Sequence, residues 1–253
     1  MLGIGGGVFI VPALQLLPLS IEFTPQMAAG TSLAMIVFKA LSSTSRYTQQ
    51  RRIDYRIGLL LATVTIPGAL VGALLTKEIP SFMLRLIFAF FLLYVASRMF
   101  FTYSLGKFSI LENRGGGWSR CIVDSDDNVY QYSANMAIGL PLGFLAGVSS
   151  GLLGIGGGAL MVPILHFALC FPMHLAVATS AFTMIFTSIS GTTTHYYAGN
   201  IQFDYALILS VGVVVGAQIG AHVAKRISSK NLQRVFGGIL VLMSISMFLK
   251  SFG

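Results

Sequence analysis

The sequence predicts an all-α fold, a polytopic transmembrane helical bundle built from two homologous, inverted repeats with glycine-broken helices. Three observations carry that prediction. The chain is 55% hydrophobic and 9% charged, with a mean hydropathy of +0.81, so most of it belongs in lipid. One motif occurs twice, as Gly-Ile-Gly-Gly-Gly-Val-Phe-Ile-Val-Pro-Ala-Leu from Gly3 to Leu14 and as Gly-Ile-Gly-Gly-Gly-Ala-Leu-Met-Val-Pro-Ile-Leu from Gly154 to Leu165, with eight of twelve positions identical. Equivalent loops also carry opposite charge. The loop after the second helix of the first half holds Arg46, Arg51, Arg52 and Arg56, and its second-half counterpart from His195 to Asp204 has no Lys or Arg. The next loop reverses the bias, with Lys225, Arg226, Lys230 and Arg234 against Lys77 and Arg85. Positive loops stay on the cytoplasmic side, so the two halves lie inverted to one another.

The elements follow from the apolar runs. A short leg from Ile4 to Leu17 opens the first repeat, and helices follow at Thr24 to Thr48, Tyr55 to Thr76 and Pro80 to Tyr103. These runs are rich in Leu, Ala, Ile and Gly and lack the alternation of a barrel strand, so they are helices. The second repeat reads Ala134 to Leu169, Met173 to Ala198, Asp204 to Ala224 and Lys230 to Lys250. Gly68 and Gly72 align with Gly216 and Gly220, and Leu84 and Phe88 with Leu232 and Phe236. The glycine pairs are assigned to helix packing, and Asp54 and Asp204 to capping the helices that follow them. Three regions result: residues 1–104 as a first repeat shortened at its N-terminus, 105–133 as an extramembrane loop, and 134–253 as the second repeat. Within the loop, Cys121 to Val123 and Val129 to Tyr132 flank the turn-forming Asp124-Ser125-Asp126-Asp127-Asn128, which predicts a β-hairpin; a disordered linker is the rival reading.

Inversion makes a demand on Ala134 to Leu169, which must cross an even number of times. Two legs of about 17 residues each, folding back near Gly154 to Gly158, meet it, as two thin spans or as a re-entrant pair. Backbone that is not helical at membrane depth survives only when buried in protein or lining a wet cavity. Three consecutive glycines permit that geometry, and the helix that restarts beyond them presents free N–H groups and a positive dipole end suited to a small anion. Close helix packing alone would also explain glycines. Duplication of the break, each copy followed by a Thr-Ser pair, favours the binding reading.

The candidate substrate-binding residues are therefore Gly5, Gly6 and Gly7, Gly156, Gly157 and Gly158, and the pairs Thr31-Ser32 and Thr179-Ser180 as hydroxyl donors. Lys39, eight residues past Thr31, stands where the second repeat has Thr187. A buried ammonium there attracts an anion; snorkelling to the surface is the alternative. His195, after Thr192-Thr193-Thr194, is a candidate proton-coupling group or a hydrogen-bonded structural residue, and Asn200 completes the set. His166, His174 and His222 form no metal motif with it.

Composition excludes several classes. Cys121 and Cys170 make neither a disulfide framework nor a metal site. The formal charge of +8 flanks the spans, so topology accounts for it and nucleic acid is not a partner. No acid pair lies at depth, which argues against an aspartyl protease or a carboxylate-driven cation pump. No Walker motif appears and no cofactor is implied. The expected partners are a small anionic substrate and the lipid bilayer, with a homodimer left open. A membrane-embedded sensor or assembly subunit working through the 105–133 loop is the alternative function.

The two glycine motifs, the Thr-Ser pairs and the segment His195-Tyr-Tyr-Ala-Gly-Asn-Ile201 together resemble the TauE/SafE sulfite exporter family of membrane permeases. The resemblance covers essentially the whole chain. It implies a non-enzymatic transporter of sulfur-containing anions such as sulfite, sulfoacetate or related organosulfonates in a prokaryotic plasma membrane. Two departures stand out: the missing leading leg, and Arg51-Arg52 in the first half where the second has Gly199-Asn200.

Overall fold

Capping chemistry sets where the long helices begin. Thr24 accepts the N–H of Met27 at 3.2 Å and Pro25 follows it, which starts helix α2, Pro25–Gln49. The carboxylate of Asp54 accepts the N–H groups of Arg56 and Ile57, both at 3.1 Å, and starts α3, Tyr55–Glu78. Asn135 caps α5, Met136–Leu153, in the same way. A computed structural model describes residues 6–16, 22–101, 118–224, 238, 241–249 and 251. Within them the remaining elements are α1, Gly7–Leu16; α4, Ser81–Phe101; strands β1, Trp118–Val123, and β2, Val129–Ala134; the short α6, Gly158–Pro163; α7, Met173–Tyr197; and α8, Phe203–Ala224. Residues 241–249 are helical as well. The fold is all-α apart from the hairpin, as predicted. Four helices, α2, α3, α5 and α7, are long and apolar enough to cross a membrane.

Asp204 departs from its expected role. Gln202 accepts the N–H of Ala206 at 3.0 Å, so α8 starts one residue earlier than predicted and Asp204 lies inside its first turn. There it favours the helix dipole rather than capping the end. The hairpin prediction holds: β1 and β2 pair antiparallel, with Trp118 opposite Ala134 and Val123 opposite Val129.

The segment Ala134 to Leu169 resolves into unequal legs. α5 has 18 residues, about 27 Å of helix, whereas the restart at Gly158–Ala168 is about 17 Å long. The second leg is shorter than the roughly 30 Å a spanning helix needs and folds back on the first. It returns toward its origin: a Cβ on Gly139, near the start of α5, would lie 3.0 Å from the side chain of Leu169, and Phe171 stacks on Tyr132 of β2 with ring centroids 4.2 Å apart. Pro163 cannot donate, and the helix widens into a π-turn over Ile164–Ala168 immediately after it.

Small residues let α3 and α5 touch backbone to backbone. Gly68 and Gly72 face the carbonyl oxygens of Phe144 and Val148, and Gly147 and Gly151 face those of Thr65 and Ala69. Both helices thus contribute a glycine pair at a spacing of four to one seam, the packing expected of Gly68 and Gly72. The surroundings of Gly216 and Gly220 lie outside the described residues. Replacing Gly72 by leucine is expected to force the seam apart at a cost of about 1–3 kcal/mol, seen as a lower melting temperature in detergent. The outer faces of the helices are apolar, with Leu59, Leu70 and Leu74 of α3, Phe90 of α4, and Ile208 and Val211 of α8 exposed, as lipid contact requires.

The two halves repeat one another in detail. The chain leaves α2 with Arg51 at φ 52° and leaves α7 with Gly199 at φ 72°. Arg51 and Arg52 donate to Thr48 and Tyr47, and Gly199 and Asn200 donate to Tyr196 and His195, the same double bond closing each helix. A 148-residue offset relates the two turns, and it relates Thr31 to Thr179 and Asp54 to Gln202.

Candidate functional site

The glycine break of the second repeat begins where α5 ends. Gly154 caps the helix at φ 70°, and Gly156 and Gly157 continue at φ 74° and 77°, conformations that glycine adopts at little cost and that disfavour residues with a Cβ. All of Gly154 to Gly158 is buried. Gly154 packs on the backbone of Ala29 in α2, and its carbonyl accepts the Ser32 hydroxyl at 2.9 Å. Ile36, one helical turn further along α2, fills the space over Gly156.

The first break meets the second. Gly7 abuts the carbonyl oxygen of Gly154, and a Cβ on Gly7 would stand 2.8 Å from the α-carbon of Ile155. No side chain fits between the two backbones. Gly6 lies beside Lys39: a Cβ there would be 3.7 Å from both Cδ and Nζ of the lysine. No carboxylate among the described residues pairs with that ammonium. Gly5 lies outside the described residues.

The Thr-Ser pairs are buried on α2 and α7. Thr31 Oγ1 accepts the N–H of Gln202 at 3.1 Å, and Thr179 Oγ1 accepts the N–H of Asp54 at 3.1 Å. Each threonine thus holds the entry to a helix of the opposite repeat, and the two contacts are equivalent under the 148-residue offset. Among the described residues neither threonine hydroxyl donates a hydrogen bond. The serines are committed: Ser32 to Gly154, and Ser180 to the Val177 carbonyl at 2.9 Å. Of the four predicted hydroxyl donors, only the threonines therefore retain a spare hydrogen.

His195 is fully buried with both ring nitrogens engaged, Nε2 with the Gly151 carbonyl at 3.0 Å and Nδ1 with Asn200 Nδ2 at 3.5 Å. A carbonyl partner at Nε2 requires the proton there, so Nδ1 accepts from the amide. Asn200 presents its main-chain oxygen to the bare α-carbon of Gly30, next to Thr31. Together these residues fasten the end of α7 to α5 and α2 around the break.

A second polar cluster was not legible as a site. The Asp54 carboxylate, besides capping α3, accepts from Arg120 of β1 at 2.9 and 3.1 Å and from the Tyr132 hydroxyl of β2 at 2.6 Å. Reciprocally, Arg52 of the α2–α3 loop pairs with Asp124 at 2.9 Å and Asp126 at 3.0 Å in the hairpin turn. Burial pushes the Asp54 carboxyl up, but hydrogen bonds from Arg120, Tyr132 and Ile57 outweigh it and hold the group below the ordinary carboxylate range. Burial and the Asp54 bond push the Tyr132 hydroxyl up. Asp124 is held down to about 2: desolvation raises it, and donors from Asn128, Arg52 and Asp126 prevail. The hairpin is thereby clamped onto the loop whose Asp54 N–H reaches Thr179. The only sequence signal was the capping position of Asp54. Arg52, the departure from the second repeat, belongs to this clamp.

Among the described residues no group of His, Cys, Asp or Glu could hold a metal ion. Comparison with known proteins gives a consistent picture. The family model described as "Sulfite exporter TauE/SafE" matches residues 1–247. The chain is 33% identical to the "Probable membrane transporter protein YunE" of Bacillus subtilis, over 96% of this chain and 89% of that one. It is 26% identical to a similarly named protein of Methanocaldococcus jannaschii, over 98% and 90% of the two chains. A shorter match, 36% identical over 34% of this chain and 18% of the other, is to "Sulfite exporter TauE/SafE family protein 3" of Arabidopsis thaliana. No solved structure matches.

Proposed function

This chain belongs to the sulfite exporter TauE/SafE family and is a multi-pass membrane transporter, and on that premise we propose that it is a secondary transporter of small anions, sulfur oxyanions or organosulfonates. The observation that carries the proposal is the meeting of the two glycine breaks, Gly7 against Gly154–Ile155, with the Lys39 ammonium beside Gly6. Bare backbone, helix N-termini and, among the described residues, a Lys39 ammonium without a carboxylate partner make a neutral-to-positive seat suited to an anion. Thr31 and Thr179 supply hydroxyls from opposite sides. Because each also holds a helix entry of the other repeat, a substrate that draws on their hydroxyls pulls on both halves at once. That coupling suits alternating access by one repeat rocking against the other, in inverted orientation.

Sealed vesicles loaded with radiolabelled sulfite, sulfonates and carboxylates test the substrate class. Flux of a sulfur anion is the expected result, and flux of carboxylates alone would replace the class. Lys39→Gln is expected to weaken anion binding about tenfold or more, the loss of one charge-assisted contact, while Arg46→Gln on the exposed end of α2 changes it little. Equal effects would reduce Lys39 to an anchor.

A further inference from the structure

Ser150 lies one turn before the end of α5, fully buried, and its Oγ has no hydrogen-bond partner among the described residues. Such a hydroxyl costs free energy, which helical serines ordinarily avoid by donating to the carbonyl four residues back. Ser149 does so, to Leu145 at 2.9 Å. Ser150 forgoes the equivalent bond to Ala146 and borders the α-carbon of Gly157 instead. A Cβ placed on Gly157 would stand 3.7 Å from that Oγ, 3.6 Å from Ser150 Cβ and 3.8 Å from the Ala146 oxygen, with nothing closer. Gly154 and Gly156 offer no such room, being covered by Ala29 and Ile36. Beyond Gly157 the helix Gly158–Ala168 begins, and the N–H groups of Gly158 and Ala159 have no acceptor among the described residues. By helix geometry they face back toward Gly157.

We propose that Ser150 is a specificity-determining substrate ligand, its hydroxyl joining the N–H groups of Gly158 and Ala159 on one small oxyanion seated over Gly157. This rests on the anion-transport reading and names the chemistry of its second-repeat half. Directional donors on a short arc match an anion carrying several acceptor oxygens on one small centre, as sulfite or a sulfonate head does. A halide, with no directional lone pairs, gains less from a fixed hydroxyl. The seat is closed from solvent in this conformation and fills when the break opens.

The full-length protein in detergent, titrated calorimetrically with sulfite, methanesulfonate and chloride, tests the proposal. Ser150→Ala is expected to weaken sulfite and methanesulfonate binding at least tenfold, the usual loss of a hydrogen bond to a charged group, and to leave chloride affinity unchanged; Ser149→Ala changes none of them. Ser150→Cys, close in shape and a weak donor, is expected to fall between and serves if alanine does not fold. Wild-type oxyanion affinity in both Ser150 variants, with Lys39→Gln still impaired, overturns the assignment and leaves the transport reading standing. An equal loss of chloride binding in Ser150→Ala overturns it in favour of a structural role. Absence of any oxyanion binding or flux in the wild type removes the transport reading, and this inference with it.

Discussion

Valine at Gly157 is expected to reduce anion flux in sealed vesicles to background while leaving the protein inserted at near wild-type abundance. Gly157 adopts φ 77° and ψ −18°, a left-handed conformation that a β-branched residue occupies at a cost of about 1–3 kcal/mol. The first added carbon meets nothing closer than 3.6 Å, so that strain is the main folding penalty. The two methyls beyond it would occupy the space between Ser150 and the start of the restarted helix, covering the free N–H groups. Gly154 provides the contrast: there any side chain collides with the Ala29 backbone, and valine is expected to remove folded protein altogether. Measuring flux against membrane abundance separates the two outcomes. Wild-type flux in the Gly157 variant would remove the glycine break from the transport path.

Much of this arrangement is legible in the sequence. The motif marked both breaks because its duplication, each copy followed by a Thr-Ser pair, set it apart from glycines that serve packing alone, and Gly7 does meet Gly154. The length of Ala134 to Leu169 demanded a fold-back, which Leu169 against Gly139 supplies. The sequence could not show that one leg is much shorter than the other, since Pro163 and the π-turn after it set that length locally. Nor could it divide the Thr-Ser pairs by role. Both hydroxyls look alike in a string, yet each serine donates to a carbonyl, Ser32 to Gly154 and Ser180 to Val177, whereas each threonine accepts from a helix entry more than a hundred residues away. Ser150 was invisible for a related reason: a hydroxyl is marked as functional by the partner it lacks, and that is a property of packing. The hairpin clamp was missed because Asp54, Arg120 and Tyr132 are spread over 79 residues, and only the strand register of β1 against β2 gathers them.

That clamp carries the second large effect. Asp54→Ala is expected to destabilise the folded protein by about 3 kcal/mol or more, since it leaves the Arg120 guanidinium and the Tyr132 hydroxyl without their acceptor and removes the cap of α3. Asp54→Asn keeps a capping oxygen and loses the charge, so it separates the two contributions and is expected to fall between wild type and alanine. Thermal unfolding in detergent at pH 7 reads both; an unchanged melting temperature in Asp54→Ala would dismiss the clamp as a surface contact. The pH dependence has a definite sign. The folded carboxyls of Asp54 and Asp124 are depressed, Asp124 to about 2, so their stabilisation is complete above the unfolded carboxylate value of about 4 and is lost as pH falls through the folded values. The melting temperature of the wild type is therefore expected to be insensitive to this pair between pH 7 and about 5, and to drop from about pH 4 downward. A double Asp54→Asn, Asp124→Asn variant starts lower and lacks that drop. Transport should respond as well. The Asp54 N–H is the donor that Thr179 accepts, so loosening the start of α3 displaces a hydroxyl of the proposed seat, and flux per folded molecule is expected to fall in Asp54→Ala even where folded protein is matched.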